Sequence, residues 1–143
     1  MTQFISPGAT IGIIGGGVTA FQMANTANSM GMRTVVLAPT QTDIAFEKAD
    51  IPLVGDATDR TALKELTQLS TVMTFTDENV DGSLLAELAT ANQLPSGVDI
   101  LTVTQDRYLE KVFLDDLNMN ILPYTQVITP NDIKEAVDTI GYP

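Results

Sequence analysis

Cysteine and histidine are both missing from the 143 residues. Without cysteine there can be no disulfide, no thiolate nucleophile and no thiolate metal site. Without histidine the chain has neither the commonest general base nor the commonest metal ligand, so any proton transfer would fall to Asp, Glu, Lys or Tyr. Basic residues are scarce too: 7 Lys and Arg stand against 18 Asp and Glu, a formal net charge of -11. Such a surface repels nucleic acid and anionic membranes, and it disfavours a phosphorylated ligand unless local groups reverse the field. No apolar run reaches the roughly 20 residues that a membrane span needs. No basic cluster precedes an apolar stretch at the N-terminus, so a signal peptide is not expected and a cytoplasmic location is the default.

What is present is a spread of apolar residues, 44% of the chain, over a length that suits one domain with a sizeable core. Two periods alternate. Thr10–Gly15 is a short apolar strand candidate, and after Gly15-Gly16-Gly17 the spacing of Ala20, Met23, Ala24, Ala27 and Met30 becomes helical, with Gly31 as the stop. Both methionines are expected in the core. Arg33–Ala38 predicts a second strand closed by Pro39, and Leu53–Asp56 a short third. Asp59 can cap a helix bearing Leu63, Leu66 and Leu69. Thr71–Phe75 predicts a fourth strand, Leu84 to Ala89 a helix, and Val98–Val103 a fifth strand. A helix from about Thr104 to Leu117 would carry Leu109, Val112, Phe113 and Leu117 on one face. Pro123–Ile128 reads as extended, and Thr129-Pro130-Asn131-Asp132 as the start of a last helix that ends at Gly141-Tyr142-Pro143. Strand–helix alternation predicts an α/β fold, a mostly parallel sheet with helices on both faces. The chain reads as a single domain over residues 1–143, cut at a domain boundary.

The best candidate site is Gly15-Gly16-Gly17-Val18-Thr19-Ala20, which follows a strand and opens a helix. Glycines let the backbone turn tightly and approach a ligand, and free amides at the helix start favour an anion. The alternative is that they only allow close strand–helix packing. A dinucleotide site would also need an acid at the end of the second strand, where Ala38-Pro39 stands instead. Asp77-Glu78, just past the fourth strand, lies where ligands bind in open α/β sheets, or serves as a helix cap. Arg107, at the start of a helix, could reach a phosphate or lie in solvent.

Three segments carry a resemblance over essentially the whole chain: Ile11–Gly17, Thr74–Val80 and, most specifically, Gln105–Leu114. Met30-Gly31, Val54-Gly55-Asp56 and Ile140–Pro143 fit in order and spacing. Together they resemble the N-terminal domain of 5-(carboxyamino)imidazole ribonucleotide synthase, the ATPase subunit of phosphoribosylaminoimidazole carboxylase. The resemblance implies a Rossmann-like pre-ATP-grasp domain leading into ATP-grasp domains that hold most ATP contacts and the metal-binding acids. It implies an ATP-dependent ligase of purine biosynthesis that carboxylates aminoimidazole ribonucleotide with bicarbonate, uses Mg2+ with its ATP, and forms a homodimer. On this reading Gly15, Gly16, Gly17, Val18 and Glu78 face the ribonucleotide and Arg107 serves the nucleotide phosphates. No catalytic residue and no metal ligand falls in this chain, which is expected to be inactive alone and to hold no cofactor tightly. The sequence departs from the family pattern at Val18-Thr19 for Gln-Leu, Phe21 for Arg, Thr76 for the first Glu of a Glu-x-Glu motif, and Ala38 for an acid. Two further readings stand beside this one: a non-catalytic ligand-binding or regulatory relative, and the dinucleotide-binding domain of an oxidoreductase.

Overall fold

A computed structural model describes residues 4–141, so Tyr142 and Pro143 at the end of the expected last segment lie outside the described residues. The chain divides into two compact units, Met1–Leu101 and Thr102–Pro143. The first contains strands β1 (Thr10–Ile14), β2 (Arg33–Ala38), β3 (Ile51–Val54) and β4 (Val72–Phe75) in one sheet of order β3-β2-β1-β4. Every pairing is parallel, with Ile13 opposite Val36 and Thr74, and Leu37 opposite Leu53. Parallel strands covered on both faces read as continuous apolar runs, and β2 does so: Thr34 to Ala38 are all buried.

Alternation along the strands sends side chains to two separate cores. On one face Ile13 and Val36 meet Ala20 and Ala24 of helix α1 (Val18–Ser29) and Ala45 of a 3-10 turn, Ile44–Glu47. On the other, Ile14, Val35, Leu37 and Met73 meet Leu63 and Leu66 of α2 (Arg60–Leu69) and Leu85 of α3 (Gly82–Leu88). The expected α/β fold, a parallel sheet with helices on both faces, is what forms, and β1 is one of its two inner strands. The caps are local and charged. The Asp59 carboxylate accepts from the N–H groups of Thr61 and Ala62 at the start of α2. Asp81 does the same for Leu84 at α3, so the cap there is Asp81 rather than Asp77 or Glu78. No helix among the described residues is long and apolar enough to cross a membrane.

Several expectations are corrected. The stripe that buries α1 is Ala20, Ala24 and Ala27, whose small side chains let the helix lie close to the sheet. Met23 and Met30 flank that stripe and are exposed rather than core. Strand β3 starts two residues earlier than Leu53, and Gly55 and Asp56 already belong to the turn beyond it.

Val98–Val103 is not a fifth strand, because helix α4 occupies Asp99–Thr104. The Leu101 N–H donates to the Val98 carbonyl (2.9 Å), a bond three residues back that closes a helical turn, and of this helix only Leu101 is buried.

The second unit is helical. The long helix expected from Thr104 begins only at Arg107: α5 is Arg107–Asp116, and Asp106 caps it by accepting from the N–H groups of Tyr108 (2.8 Å) and Leu109 (3.1 Å). Leu109, Phe113 and Leu117 do lie along it but stay exposed. Pro123–Ile128 takes no place in the sheet, whose four strands all lie in the first unit. Helix α6 is Asp132–Ile140, three residues later than Thr129 would start it. The Asp132 carboxylate still reaches back to the N–H groups of Ile128 (2.9 Å) and Thr129 (2.8 Å) and to the Thr129 hydroxyl (2.8 Å), as the acid of a capping box would, while the Asp132 N–H donates to the Thr129 carbonyl (3.1 Å). Residues 129–131 form a turn before the helix.

Candidate functional site

Where β1 ends at Ile14, the chain passes through Gly15, Gly16 and Gly17 and enters α1 at Val18. Gly17 is the N-cap residue, no side chain caps the helix, and no acid lies in its first turn. The leading amides of α1 are therefore left for something else to satisfy. The loop is clamped from both sides. The Gly15 N–H donates to the Leu37 carbonyl (2.9 Å), the Thr76 N–H to the Ile14 carbonyl (2.9 Å), and the Ala45 N–H to the Gly16 carbonyl (3.2 Å).

Two of the glycines are there for want of room. Gly15 has φ +129°, and a Cβ on it would fall onto the Thr76 hydroxyl oxygen and within 3.3 Å of the Asp77 carboxylate. A Cβ on Gly16 would lie 2.5 Å from Cγ of Asp43. Beside Gly17 there is open space.

These residues wall a cavity of about 260 Å³ at the C-terminal edge of the sheet, together with Ala38, Pro39, Asp43, Gly55, Asp56, Asp77 and Asn79. Open parallel sheets bind ligands at this edge. Three carboxylates face the cavity, and no Lys or Arg among the described residues lines it. Each acid is partly engaged. The Thr40 N–H donates to Oδ2 of Asp43 (2.9 Å), and the Asn79 N–H to Oδ1 of Asp77 (3.1 Å). The Thr58 hydroxyl (2.7 Å) and N–H (2.8 Å) both donate to Oδ1 of Asp56 and hold its carboxyl below the ordinary value of 3.8. Among the described residues no group of three or more Asp or Glu stands close enough to hold a metal ion.

Of the residues singled out in the sequence, Gly15, Gly16 and Gly17 line this cavity, while Val18 and Glu78 are not among its walls. Val18 is exposed at the first turn of α1. Phe21, where the resemblance would place an arginine, packs on the α1 core and carries the Lys48 ammonium 5.7 Å above its ring. Thr76 fills the space beside Gly15 and donates its hydroxyl to the Ile14 carbonyl (3.2 Å). Arg107 lies in the second unit, in a shallow depression of about 600 Å³ shared with Tyr108, Lys111 and Tyr124. Its guanidinium bonds Glu110 at 2.9 Å. Asp43 and Asp56 also line the cavity, and the sequence assigns neither to it. Periodicity gives no signal for Asp43, which comes to the wall from the loop after β2.

Comparison with known proteins finds relatives in both sequence and fold. The family described as ribonucleotide synthetase preATP-grasp domain matches residues 8–105. Over 141 residues, 99% of the chain, the sequence is 36% identical to N5-carboxyaminoimidazole ribonucleotide synthase of Bacillus subtilis, and it is 38% identical over 136 residues to that of Staphylococcus saprophyticus. These alignments cover 37% and 36% of the two relatives, so the chain spans a little over a third of their length. The fold matches all of this chain and 39% of N5-carboxyaminoimidazole synthetase from Staphylococcus aureus in complex with ADP, at a TM-score of 0.88 and 34% identity.

Proposed function

The chain belongs to the ribonucleotide synthetase preATP-grasp domain family, and from that premise we propose that it forms the substrate-side, N-terminal part of an ATP-dependent ligase that carboxylates aminoimidazole ribonucleotide with bicarbonate. The observation that carries the reading is the uncapped start of α1 behind Gly15–Gly17, opening on a cavity at the C-terminal edge of the parallel sheet. Backbone amides there suit a polar ligand that approaches the chain closely. In this reading Gly15, Gly16 and Gly17 face the ribonucleotide, with Val18 and Glu78 flanking the loop. Arg107 serves ATP phosphates, and residues 1–143 act as one pre-ATP-grasp region. The ADP held by the similar Staphylococcus aureus structure supports the nucleotide half of the proposal. Mg2+ would accompany ATP, but no carboxylate cluster among the described residues is assigned to it. A homodimer is expected from the family, and sedimentation would test it.

Titration of the protein with aminoimidazole ribonucleotide, ATP and NAD, followed by amide shifts of Gly15–Gly17, tests the reading. Saturable movement of those amides with the ribonucleotide is expected, and movement with NAD alone would overturn it. The 143 residues by themselves are expected to release no phosphate from ATP in the presence of bicarbonate, because phosphoryl transfer needs a held metal and a closed site. A phosphate-release assay checks this.

One observation favours a second reading, a ligand-binding relative without chemistry. The cavity wall carries three carboxylates and no cation among the described residues, which suits hydroxyl- or amine-bearing ligands better than phosphate.

A further inference from the structure

Resting on the ribonucleotide reading of the glycine-loop cavity, we propose that Asp43 is the residue that recognises the ribose there, by accepting a hydrogen bond from a sugar hydroxyl. Nucleotide sites on parallel sheets commonly read ribose with an acid that ends the second strand. In this chain that position is Ala38, and its methyl group can accept nothing. Five residues on, Asp43 enters the same cavity from the loop between β2 and the 3-10 turn.

The placement is rigid. The Asp43 N–H donates to the Thr40 carbonyl (3.1 Å), the Thr40 N–H returns a bond to Oδ2 of Asp43 (2.9 Å), and the Phe46 N–H donates to the Asp43 carbonyl (3.1 Å). The bond from the Ala45 N–H to the Gly16 carbonyl ties this loop to the glycine loop itself. The carboxylate comes so close to Gly16 that any side chain at position 16 would displace it.

An ionised carboxylate accepts hydrogen bonds and never donates, and it repels phosphate. It therefore selects the hydroxyl-bearing side of a ribonucleotide and turns the phosphate away from this wall. Asp56 takes two donors on Oδ1 from Thr58, while Asp77, which takes one backbone N–H as Asp43 does, stands beside Gly15 instead. Neither is braced against the glycine backbone at position 16 as Asp43 is.

The test compares aminoimidazole ribonucleotide with its 2′-deoxy and 3′-deoxy counterparts by shift titration, on the unmodified chain and on Asp43→Ala and Asp43→Asn. A hydrogen bond to a charged group predicts a preference of about tenfold or more for the ribose form over one of the deoxy forms. Asp43→Ala is expected to bring that ratio close to one without weakening the disfavoured deoxy ligand. Asp43→Asn, which keeps the side-chain shape, guards against loss of folding and should give an intermediate ratio. If Asp43 only props the loop, both ligands weaken together and the ratio persists, which overturns the inference while the ribonucleotide reading stands. If the unmodified chain binds none of the three ligands, the reading of the site falls and the inference falls with it.

Discussion

Single residues decide whether the cavity exists. At Gly15 the left-handed φ of +129° and the Thr76 hydroxyl both exclude a side chain, whereas Gly17 has φ -82° and open space around it. Gly15→Ala is therefore expected to cost about 1–3 kcal/mol in urea unfolding. Gly17→Ala should change stability by less than about 1 kcal/mol. Equal effects at the two positions would contradict this account of the loop. The place of the glycines was legible in the sequence because a loop between a strand and a helix is identified by that context alone, and the fold puts them on the cavity wall. Asp43 was not, because it reaches the site through the Thr40–Asp43 turn rather than through strand periodicity, and only the folded loop shows its carboxylate lying against Gly16. Val18 and Glu78 show that adjacency to a motif in sequence does not by itself put a side chain on the cavity wall.

At the scale of elements, a polar knot fixes the end of β2 remote from the cavity. Thr34 is fully buried, and its N–H donates to Oδ2 of Asp50 at 2.7 Å while its hydroxyl lies 3.2 Å from the same oxygen. The Asn28 amide donates to the Lys48 carbonyl (2.7 Å), which joins the end of α1 to the same strap. Asp50→Ala would leave a buried N–H without an acceptor and is expected to lower stability by about 1–3 kcal/mol, while Asp50→Asn retains an acceptor and should cost less. Urea unfolding of the two variants measures the difference.

In the second unit, donation from the Thr129 N–H, the Ile128 N–H and the Thr129 hydroxyl, in that order of effect, holds the Asp132 carboxyl below its ordinary value of 3.8. A depressed folded pKa stabilises the turn above the unfolded value. That contribution is lost as pH falls below 3.8 and through the folded pKa. Because backbone donors come first, Thr129→Val should recover only part of the depression, as a carboxyl carbon titration would show; full return to the ordinary value would mean that the hydroxyl dominates. The strands of the first unit and helix α1 were readable from apolar runs and helical spacing. Helix α4 was not, because six residues with one buried leucine satisfy strand and helix patterns alike until the Val98–Leu101 turn closes.

At the scale of the whole molecule, charge and site pull in opposite directions. The chain carries a formal charge of -11, and the cavity wall has three carboxylates and no cation among the described residues. A ligand with a phosphate therefore meets repulsion both at long range and at the site, offset locally by the amides at the start of α1. Screening shortens the Debye length from about 30 Å at 0.01 M salt to about 8 Å at 0.15 M, and it weakens the long-range repulsion more than the amide contacts. The sign of the salt effect follows. Binding of aminoimidazole ribonucleotide should strengthen as salt rises over that range, by roughly twofold to fivefold, whereas a protein that grips phosphate with exposed Lys and Arg loses affinity. The corresponding nucleoside, which lacks the phosphate, should bind with little salt dependence. Paired titrations at the two ionic strengths decide the matter. Affinity for the ribonucleotide that falls with salt would place cations against its phosphate and move that group away from the carboxylate-lined cavity.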